Sequence, residues 1–168
     1  RLTLATGRSY RSASRIAEQI GLMVPLITYQ GSLVKDPADG TVLYERSVPG
    51  ETARRIFEFC LERGLHVQTY INDWLYTFQD NDKVKAYAAL SGIPYTVAAD
   101  PAELPEGNHT KLIIIGEPEE LDRLAPEVRE LAGPDMHVTK SKATFLEVLH
   151  REGTKGDALR FLAAHYGI

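Results

Sequence analysis

The chain lacks most of what disulfide-rich, secreted and membrane proteins need. A single cysteine in 168 residues cannot form an internal disulfide or a cysteine-rich zinc site, and it fits a reducing cytosol. The longest apolar run, 112–115, is far shorter than the ~20 residues of a membrane helix. No stretch has the basic, apolar and small-residue pattern of a signal peptide. These features predict a cytoplasmic protein with no membrane partner.

A basic excess is also missing. The 19 basic and 23 acidic residues give a net charge of -4, which argues against sequence-independent nucleic-acid binding because such binding neutralises phosphates. With 43% hydrophobic and 25% charged residues, the composition is typical of a globular protein. The length suits about one domain, or a small domain with part of another. Nothing in the composition indicates an oligomeric state.

The two ends of the sequence favour a piece of a longer protein. The chain opens at Arg1 without an initiator methionine and runs directly into the apolar stretch 2–5, which has the character of a strand. It stops at 166–168, where a helix is expected to finish. We therefore expect further elements on both sides.

Predicted helices and strands alternate along the chain, which favours an α/β fold with a mixed or antiparallel sheet. Pro49–Gly50 and Lys140–Ser141–Lys142 are the best boundary signals. They predict a middle domain, 49–139, between two outer segments, 1–48 and 140–168. The helix in which Leu121, Leu124, Val128 and Leu131 are expected to point inward should kink or split at Pro126.

The first motif that can carry chemistry is Thr6–Gly7–Arg8. It follows the expected strand 2–5 and precedes a helix for which Ser9 is the predicted N-cap. In open α/β sheets, ligands bind beyond the carboxyl ends of strands, where a helix N-terminus attracts anions. Thr6 would add a hydroxyl donor and Arg8 a bidentate guanidinium. The alternative is an ordinary turn between a strand and a helix.

The second motif places Lys155 on the entry turn of the last helix, within 153–159. There its ammonium could reach an anion. The alternative is a solvated surface lysine, the commonest state of this residue type.

Taken in order, five stretches resemble the Cof-type phosphatases of the haloacid dehalogenase superfamily: 4–8, 27–31, 41–45, 144–148 and 154–159. The resemblance covers nearly the whole chain. It implies a Rossmann-like core interrupted by an inserted, mobile α/β cap with a mainly antiparallel sheet. The outer segments 1–48 and 140–168 would then be partial core, and 49–139 would be the cap.

The resemblance also implies a chemistry, which is Mg²⁺-assisted hydrolysis of small phosphorylated metabolites through an aspartyl-phosphate. Thr6 would hydrogen-bond the transferring phosphoryl group, and Gly7 and Arg8 would complete the phosphate site. Lys155 would hold the nucleophilic aspartate and the phosphate together by charge. Gln30 stands where the family usually has asparagine, before Gly31, and both are candidate substrate contacts.

The family's Asp-x-Asp nucleophile and its later metal-binding segment do not occur at the expected places. Asp80–Asn81–Asp82 has the spacing but precedes a predicted helix, and Asp36 and Asp39 lie in a hairpin turn with two residues between them instead of one. We therefore expect the Mg²⁺ ligands outside these residues and no activity from this stretch alone. The alternatives are a stand-alone, non-catalytic module that binds a phosphate compound, or an interaction domain whose two motifs are only turns.

The sequence does not name the substrate, because the cap would select it by shape. Tyr70, Asn72 and Asp73, at the tip of a predicted hairpin, are the candidates for this selection, since loops carry such contacts. The five histidines have no helical metal spacing, and each is expected to be structural.

Overall fold

The computed structural model describes residues 2–168, which form two compact units. Unit 1 combines the residues up to Ser47 with Arg151–Ile168, and unit 2 is Val48–His150. The predicted α/β class is confirmed. In chain order the elements are α1 (Tyr10–Gln19), β1 (Leu26–Thr28), β2 (Leu33–Lys35), β3 (Val42–Glu45), α2 (Gly50–Glu62), β4 (His66–Ile71), β5 (Trp74–Thr77), α3 (Asp82–Ser91), β6 (Tyr95–Val97), β7 (His109–Ile115), α4 (Pro118–Ala132), β8 (Met136–Lys142), β9 (Phe145–His150) and α5 (Lys155–His165).

Unit 1 contains a three-stranded antiparallel sheet in the order β1-β2-β3. Its core joins the sheet to the last helix, since Ile27 and Val34 pack with Ala158 and Leu162 of α5. The hairpin predicted around 36–40 is present, because β2 and β3 pair antiparallel on either side of it. The sheet therefore depends on residues from both ends of the chain.

The stretch 2–5, expected to be a strand, makes only one parallel bridge, between Ala5 and Ile27. The residue that precedes β1 explains why the pairing stops there. The next ladder bond toward Leu2 would need the backbone N–H of residue 25, which is Pro25 and has none.

Unit 2 is built on a six-stranded sheet in the order β6-β5-β4-β7-β9-β8. All neighbours are antiparallel except β5 and β6. The apolar sides of helices α2 and α4 pack against one face of this sheet. The fully buried members of that core include Ile56, Phe57, Leu112, Ile114, Leu121, Val128, Leu146 and Val148.

The boundary expected between 139 and 140 falls inside β8. Pairing with β9 extends from Met136 opposite His150 to Lys142 opposite Phe145. Because both strands are part of the six-stranded sheet, 140–150 belong to unit 2 rather than to an outer segment. The polar stretch at Lys140–Lys142 marks the end of a strand and not a division of the chain.

Helix α4 runs unbroken through Pro126, so the expected split does not occur. Pro126 lies on the exposed side, while Leu121, Ala125 and Val128 are buried against the sheet. This apolar packing holds the helix together across the hydrogen bond that proline cannot make. None of the helices within residues 2–168 has both the length and the apolar character needed to cross a bilayer.

The other face of the sheet in unit 2 carries buried charge. Leu112 and Ile114 face α2 and α4, so Lys111, one residue away in β7, points to the opposite side. Its Nζ lies 3.0 Å from Oε1 of Glu147, and both side chains are only 3–4% exposed. The second carboxylate oxygen of Glu147 and Nε2 of Gln68 are buried without a hydrogen-bond partner among the described residues.

His109 is a buried histidine in unit 2 whose environment favours the neutral ring. It is 7% exposed, Nδ1 lies 3.0 Å from Oγ1 of Thr69, and its ring packs 5.5 Å from that of Phe57. Burial lowers the pKa of His109 from 6.5 to about 4. The imidazolium form is therefore disfavoured in the folded protein.

This depressed pKa predicts a loss of stability in mild acid. The unfolded chain protonates His109 near pH 6.5, and the folded chain does so near pH 4. Stability from the neutral ring is thus fully present above pH 6.5 and is lost as the pH falls toward 4, by about 3 kcal/mol. Urea unfolding at a series of pH values between about 7 and about 4.5 measures this loss.

The matched variant is His109→Gln, which keeps a polar side chain but does not titrate. Its free energy of unfolding should fall less steeply with acid than that of the wild type. Burial also lowers the pKa of His66, so part of the slope should remain in the variant. Identical pH dependence in the two proteins would contradict the assignment to His109.

Candidate active site

The Thr6–Arg8 turn is held against β1 by backbone hydrogen bonds. Ile27 N donates to the carbonyl of Leu4, and Thr6 N donates to the carbonyl of Ile27, each at 2.9 Å. Within the turn, Arg8 N donates to Thr6 Oγ1 at 3.2 Å. The Thr6 hydroxyl oxygen therefore accepts a backbone bond across Gly7, and its own proton is left to donate elsewhere.

Helix α1 starts directly after this turn, and Ser9 is its N-cap, as predicted. Ser9 Oγ accepts from the backbone N–H of Ser12 at 3.2 Å. The exposed Arg8 donates from Nη1 to Ser12 Oγ at 3.0 Å. This bond holds the guanidinium beside the first turn of α1 and uses only one of its five N–H donors. Arg8 can still bind an anion at the start of α1.

A second turn, between β1 and β2, has an unusual backbone. Tyr29, Gln30 and Gly31 have φ angles of 51°, 62° and 117°, a region that few non-glycine residues adopt. The turn is joined to the first one by two backbone hydrogen bonds. Tyr29 N donates to the carbonyl of Arg8 at 2.9 Å, and Gln30 N donates to that of Thr6 at 3.1 Å. Such strain is characteristic of functional sites.

The side chain of Gln30 lies directly over Gly7. A Cβ atom added to Gly7 would come within 2.5 Å of Gln30 Nε2 and 2.8 Å of its Cδ. The absence of a side chain at Gly7 therefore makes room for the Gln30 amide. This packing places an amide next to the Thr6–Arg8 turn.

The third part of the site is the start of α5. Thr154 is the N-cap and accepts from Asp157 N at 3.1 Å, while its hydroxyl donates to the Asp157 carboxylate. This donated bond is the main cause that lowers the pKa of Asp157. Lys155 follows as the first helical residue and is exposed. Among the residues that the structure describes, its ammonium has no hydrogen-bond or ion-pair partner.

The three segments meet at Gly31, which forms an isolated antiparallel bridge with Thr154. Thr6 and Lys155 lie near opposite ends of the chain, yet Gly31 connects the turn that holds Thr6 to the helix that begins with Lys155. A hydroxyl, a guanidinium, an amide and an ammonium are thus supplied by three adjoining segments of unit 1. Donors and positive charges of this kind bind phosphate.

Two features of this site were not foreseen from the sequence. One is the left-handed conformation of Tyr29 and Gln30, and the other is the contact of Gly31 with the start of α5. The Gln-Gly pair ahead of β2 was a signal for a tight turn. The contact with Thr154 had no sequence signal, because it joins residues far apart in the chain.

The expected substrate residues of unit 2 differ in their exposure. Tyr70 is 1% exposed, and its hydroxyl lies 2.9 Å from that of Tyr87. The expectation of a hairpin-tip residue facing substrate is therefore wrong for Tyr70, whose phenol packs inside unit 2. Asn72 and Asp73 do form the tip, with φ angles of 50° and 63°, and Asn72 is exposed.

The aspartates that imitate a nucleophile motif have structural roles. Asn81 caps α3 through Lys83 N and Val84 N, while Asp80 accepts from the hydroxyl of Tyr95. In the β2–β3 hairpin, Asp36 accepts from Ala38 N and Asp39 from Thr41 N.

Residues 2–168 do not fit a Mg²⁺ site. Nowhere in this range do three histidine, cysteine, aspartate or glutamate side chains come together as a ligand group. Mg²⁺ prefers carboxylate and water oxygens in octahedral geometry. The expected metal, with ligands outside these residues, stays a prediction.

Comparison with known proteins places the chain in a family. A protein named HMP-PP phosphatase from Escherichia coli O6:H1 (strain CFT073) is 28% identical over 167 residues, which cover 99% of this chain and 61% of that protein. This chain therefore spans less than two thirds of that relative.

Solved structures agree with the fold. A Thermotoga maritima protein of known crystal structure is 33% identical, with a TM-score of 0.87 over 98% of this chain and 62% of that one. A haloacid dehalogenase-like hydrolase from Bacteroides thetaiotaomicron has a TM-score of 0.92 at 21% identity, over 99% of this chain and 64% of that one. The sequence model of the haloacid dehalogenase-like hydrolases matches residues 1–168. The chain therefore belongs to the haloacid dehalogenase-like hydrolase family.

Proposed function

We propose that this chain contributes the phosphate-binding groups of a phosphatase that acts on small phosphorylated metabolites. The observation that carries the proposal is the junction of the Thr6–Arg8 turn, the Gln30–Gly31 turn and the start of α5 in unit 1. These are the segments in which a member of this family would bind phosphate. The name of the Escherichia coli relative, HMP-PP phosphatase, supports a phosphorylated small molecule as the substrate class.

In this proposal Thr6 donates its hydroxyl proton to the transferring phosphoryl group. Its oxygen already accepts from Arg8 N, so the direction of the hydroxyl bond is set before substrate arrives. Fixed donors of this kind stabilise the charge that develops in the transition state. Arg8 and the backbone at Gly7 add further contacts to the phosphate.

Lys155 brings a positive charge to the same phosphate. A carboxylate nucleophile and a phosphate dianion repel each other, and a neighbouring ammonium lowers that repulsion. Because Lys155 has no partner among the described residues, its charge is available for both groups. Gln30 is proposed to contact the substrate beside Gly7, while Asn72 and Asp73 are proposed to select its organic part.

The nucleophilic aspartate is proposed to come from outside the 168 residues, along with the Mg²⁺ ligands. The aspartates closest to the motif, at 36, 39, 80 and 82, occupy a hairpin turn and the start of α3. Residues 1–168 alone should therefore bind phosphate compounds without hydrolysing them.

The test compares two proteins, the full reading frame that contains this chain and residues 1–168 alone. We expect the full reading frame to hydrolyse p-nitrophenyl phosphate, EDTA to abolish that hydrolysis, and the short protein to show none. Turnover by residues 1–168 would contradict the proposal. Saturable binding of inorganic phosphate without turnover, in both proteins, would instead favour a non-catalytic phosphate-binding module.

A further inference from the structure

Gly31 occupies a position where no side chain fits. A Cβ atom placed there would lie 2.1 Å from the carbonyl carbon of Thr154, 2.2 Å from its oxygen and 2.5 Å from the backbone nitrogen of Lys155. All three are main-chain atoms, so no change of rotamer can relieve the overlap. The φ angle of 117° adds a second constraint, because L-residues with a Cβ rarely adopt it.

Both segments that meet at Gly31 are held in place by backbone hydrogen bonds. On one side, the 29–31 turn is fixed to the Thr6–Arg8 segment by the backbone bonds of Tyr29 and Gln30. On the other side, Thr154 caps α5, and its carbonyl accepts from Ala158 N at 3.0 Å. The position of the first residue of α5 is therefore set by the surface of Gly31.

We infer that Gly31 is a positioning residue for Lys155: its missing side chain lets the start of α5 approach the phosphate-binding turn. The inference rests on the proposed function, in which the Lys155 ammonium acts on the phosphate. A Cβ at position 31 would push the Thr154–Lys155 backbone away from the Thr6–Arg8 segment. Displacements of about 1 Å in a catalytic group can lower rates by about a hundredfold.

The chain offers a matched control in the same unit. Gly21 also has a positive φ, 68°, but a Cβ there meets no atom within 4 Å. Gly21→Ala therefore introduces backbone strain without a contact, whereas Gly31→Ala introduces strain and a collision with Lys155's backbone. Thermal unfolding of both variants checks that they fold, and a larger destabilisation in Gly31→Ala than in Gly21→Ala measures the effect of the collision independently of activity.

The experiment measures kcat and KM of the full reading frame on p-nitrophenyl phosphate. We expect Gly31→Ala to lower kcat about 10- to 100-fold and Gly21→Ala to leave it unchanged. In a Lys155→Ala background, Gly31→Ala should add less than about a threefold further loss, because coupled residues are not additive. Losses that multiply fully in the double variant would overturn the inference.

A second measurement is independent of turnover. Hydrogen exchange at the Asp157 and Ala158 amides, in the first turn of α5, should quicken in Gly31→Ala and not in Gly21→Ala. Unchanged exchange would overturn the inference even if the enzyme assay agreed with it. If the exchange quickens but Lys155→Ala is as active as the wild type, the proposed catalytic role of Lys155 fails, and Gly31 is reduced to placing the helix.

Discussion

Replacing Lys155 with alanine is expected to lower kcat of the full reading frame on p-nitrophenyl phosphate by about 100- to 1,000-fold, the usual effect of removing one preorganised charge-stabilising group. The ammonium stands at the first turn of α5 with no partner among residues 2–168, so its removal leaves the nearby structure intact. Thr6→Ala removes a single hydroxyl donor. Its expected loss is smaller, about 10- to 100-fold, because hydrogen bonds to charged groups contribute about 1.5–3 kcal/mol.

Steady-state kinetics on the purified variants, with thermal unfolding as a check on folding, measures both losses. Lys35→Ala is the matched control, since Lys35 is the other lysine of unit 1 and packs over the ring of Tyr10 at 4.7 Å. It should retain wild-type rates. A loss in Lys35→Ala as large as in Lys155→Ala would show that any charge change in unit 1 suffices, which would refute the specific role of Lys155.

Replacing Glu147 with alanine is expected to destabilise unit 2 by about 3–5 kcal/mol, because it leaves a buried ammonium without its counter-charge. The Lys111–Glu147 pair is 3.0 Å apart, and each side chain is almost fully buried. Lys111 cannot reach water without disturbing the centre of β7, in which all seven residues are buried. Urea unfolding near neutral pH, followed in the full reading frame, measures this loss.

The control is an ion pair on the surface of the same unit. Arg63 and Glu127 are 3.1 Å apart, but their side chains are 44% and 54% exposed. Glu127→Ala should cost less than about 1 kcal/mol. The double variant Lys111→Met/Glu147→Leu should recover most of the stability lost in Glu147→Ala, because apolar pairs often replace buried ion pairs without loss. Equal costs for Glu147→Ala and Glu127→Ala would contradict the prediction.

Most elements could be predicted because they are determined locally. The Ser9 cap and the Asp-Pro-Ala-Asp-Gly turn at 36–40 both act within a few residues. The predictions were wrong where the structure of a segment depends on residues far away in the chain. The stretch 2–5 is shortened by Pro25 in the neighbouring segment, and β8 joins unit 2 because β9 follows it.

In the candidate site, too, the local motifs could be predicted from the sequence and the long-range contact could not. Thr6 and Lys155 could be singled out from short motifs and a family resemblance, but their connection through Gly31 depends on a contact across almost the whole chain. Tyr70 was misjudged for a related reason. In β4 the polar residues His66, Gln68 and Tyr70 alternate with Val67, Thr69 and Ile71, a pattern typical of a strand with one exposed face. In the structure both faces of the strand are covered, and all six residues are buried.

Unit 1 is interrupted in the chain, whereas unit 2 is continuous, and this difference determines the order in which a ribosome can complete them. Ile27 and Val34 emerge early, but Ala158 and Leu162, which complete their core, emerge only after all of unit 2. Because domains generally fold as units during synthesis, the segment synthesised first should be the last to reach its final structure. Until α5 leaves the ribosome, Gly31 has no Thr154 to contact, so the proposed phosphate site of unit 1 stays incomplete.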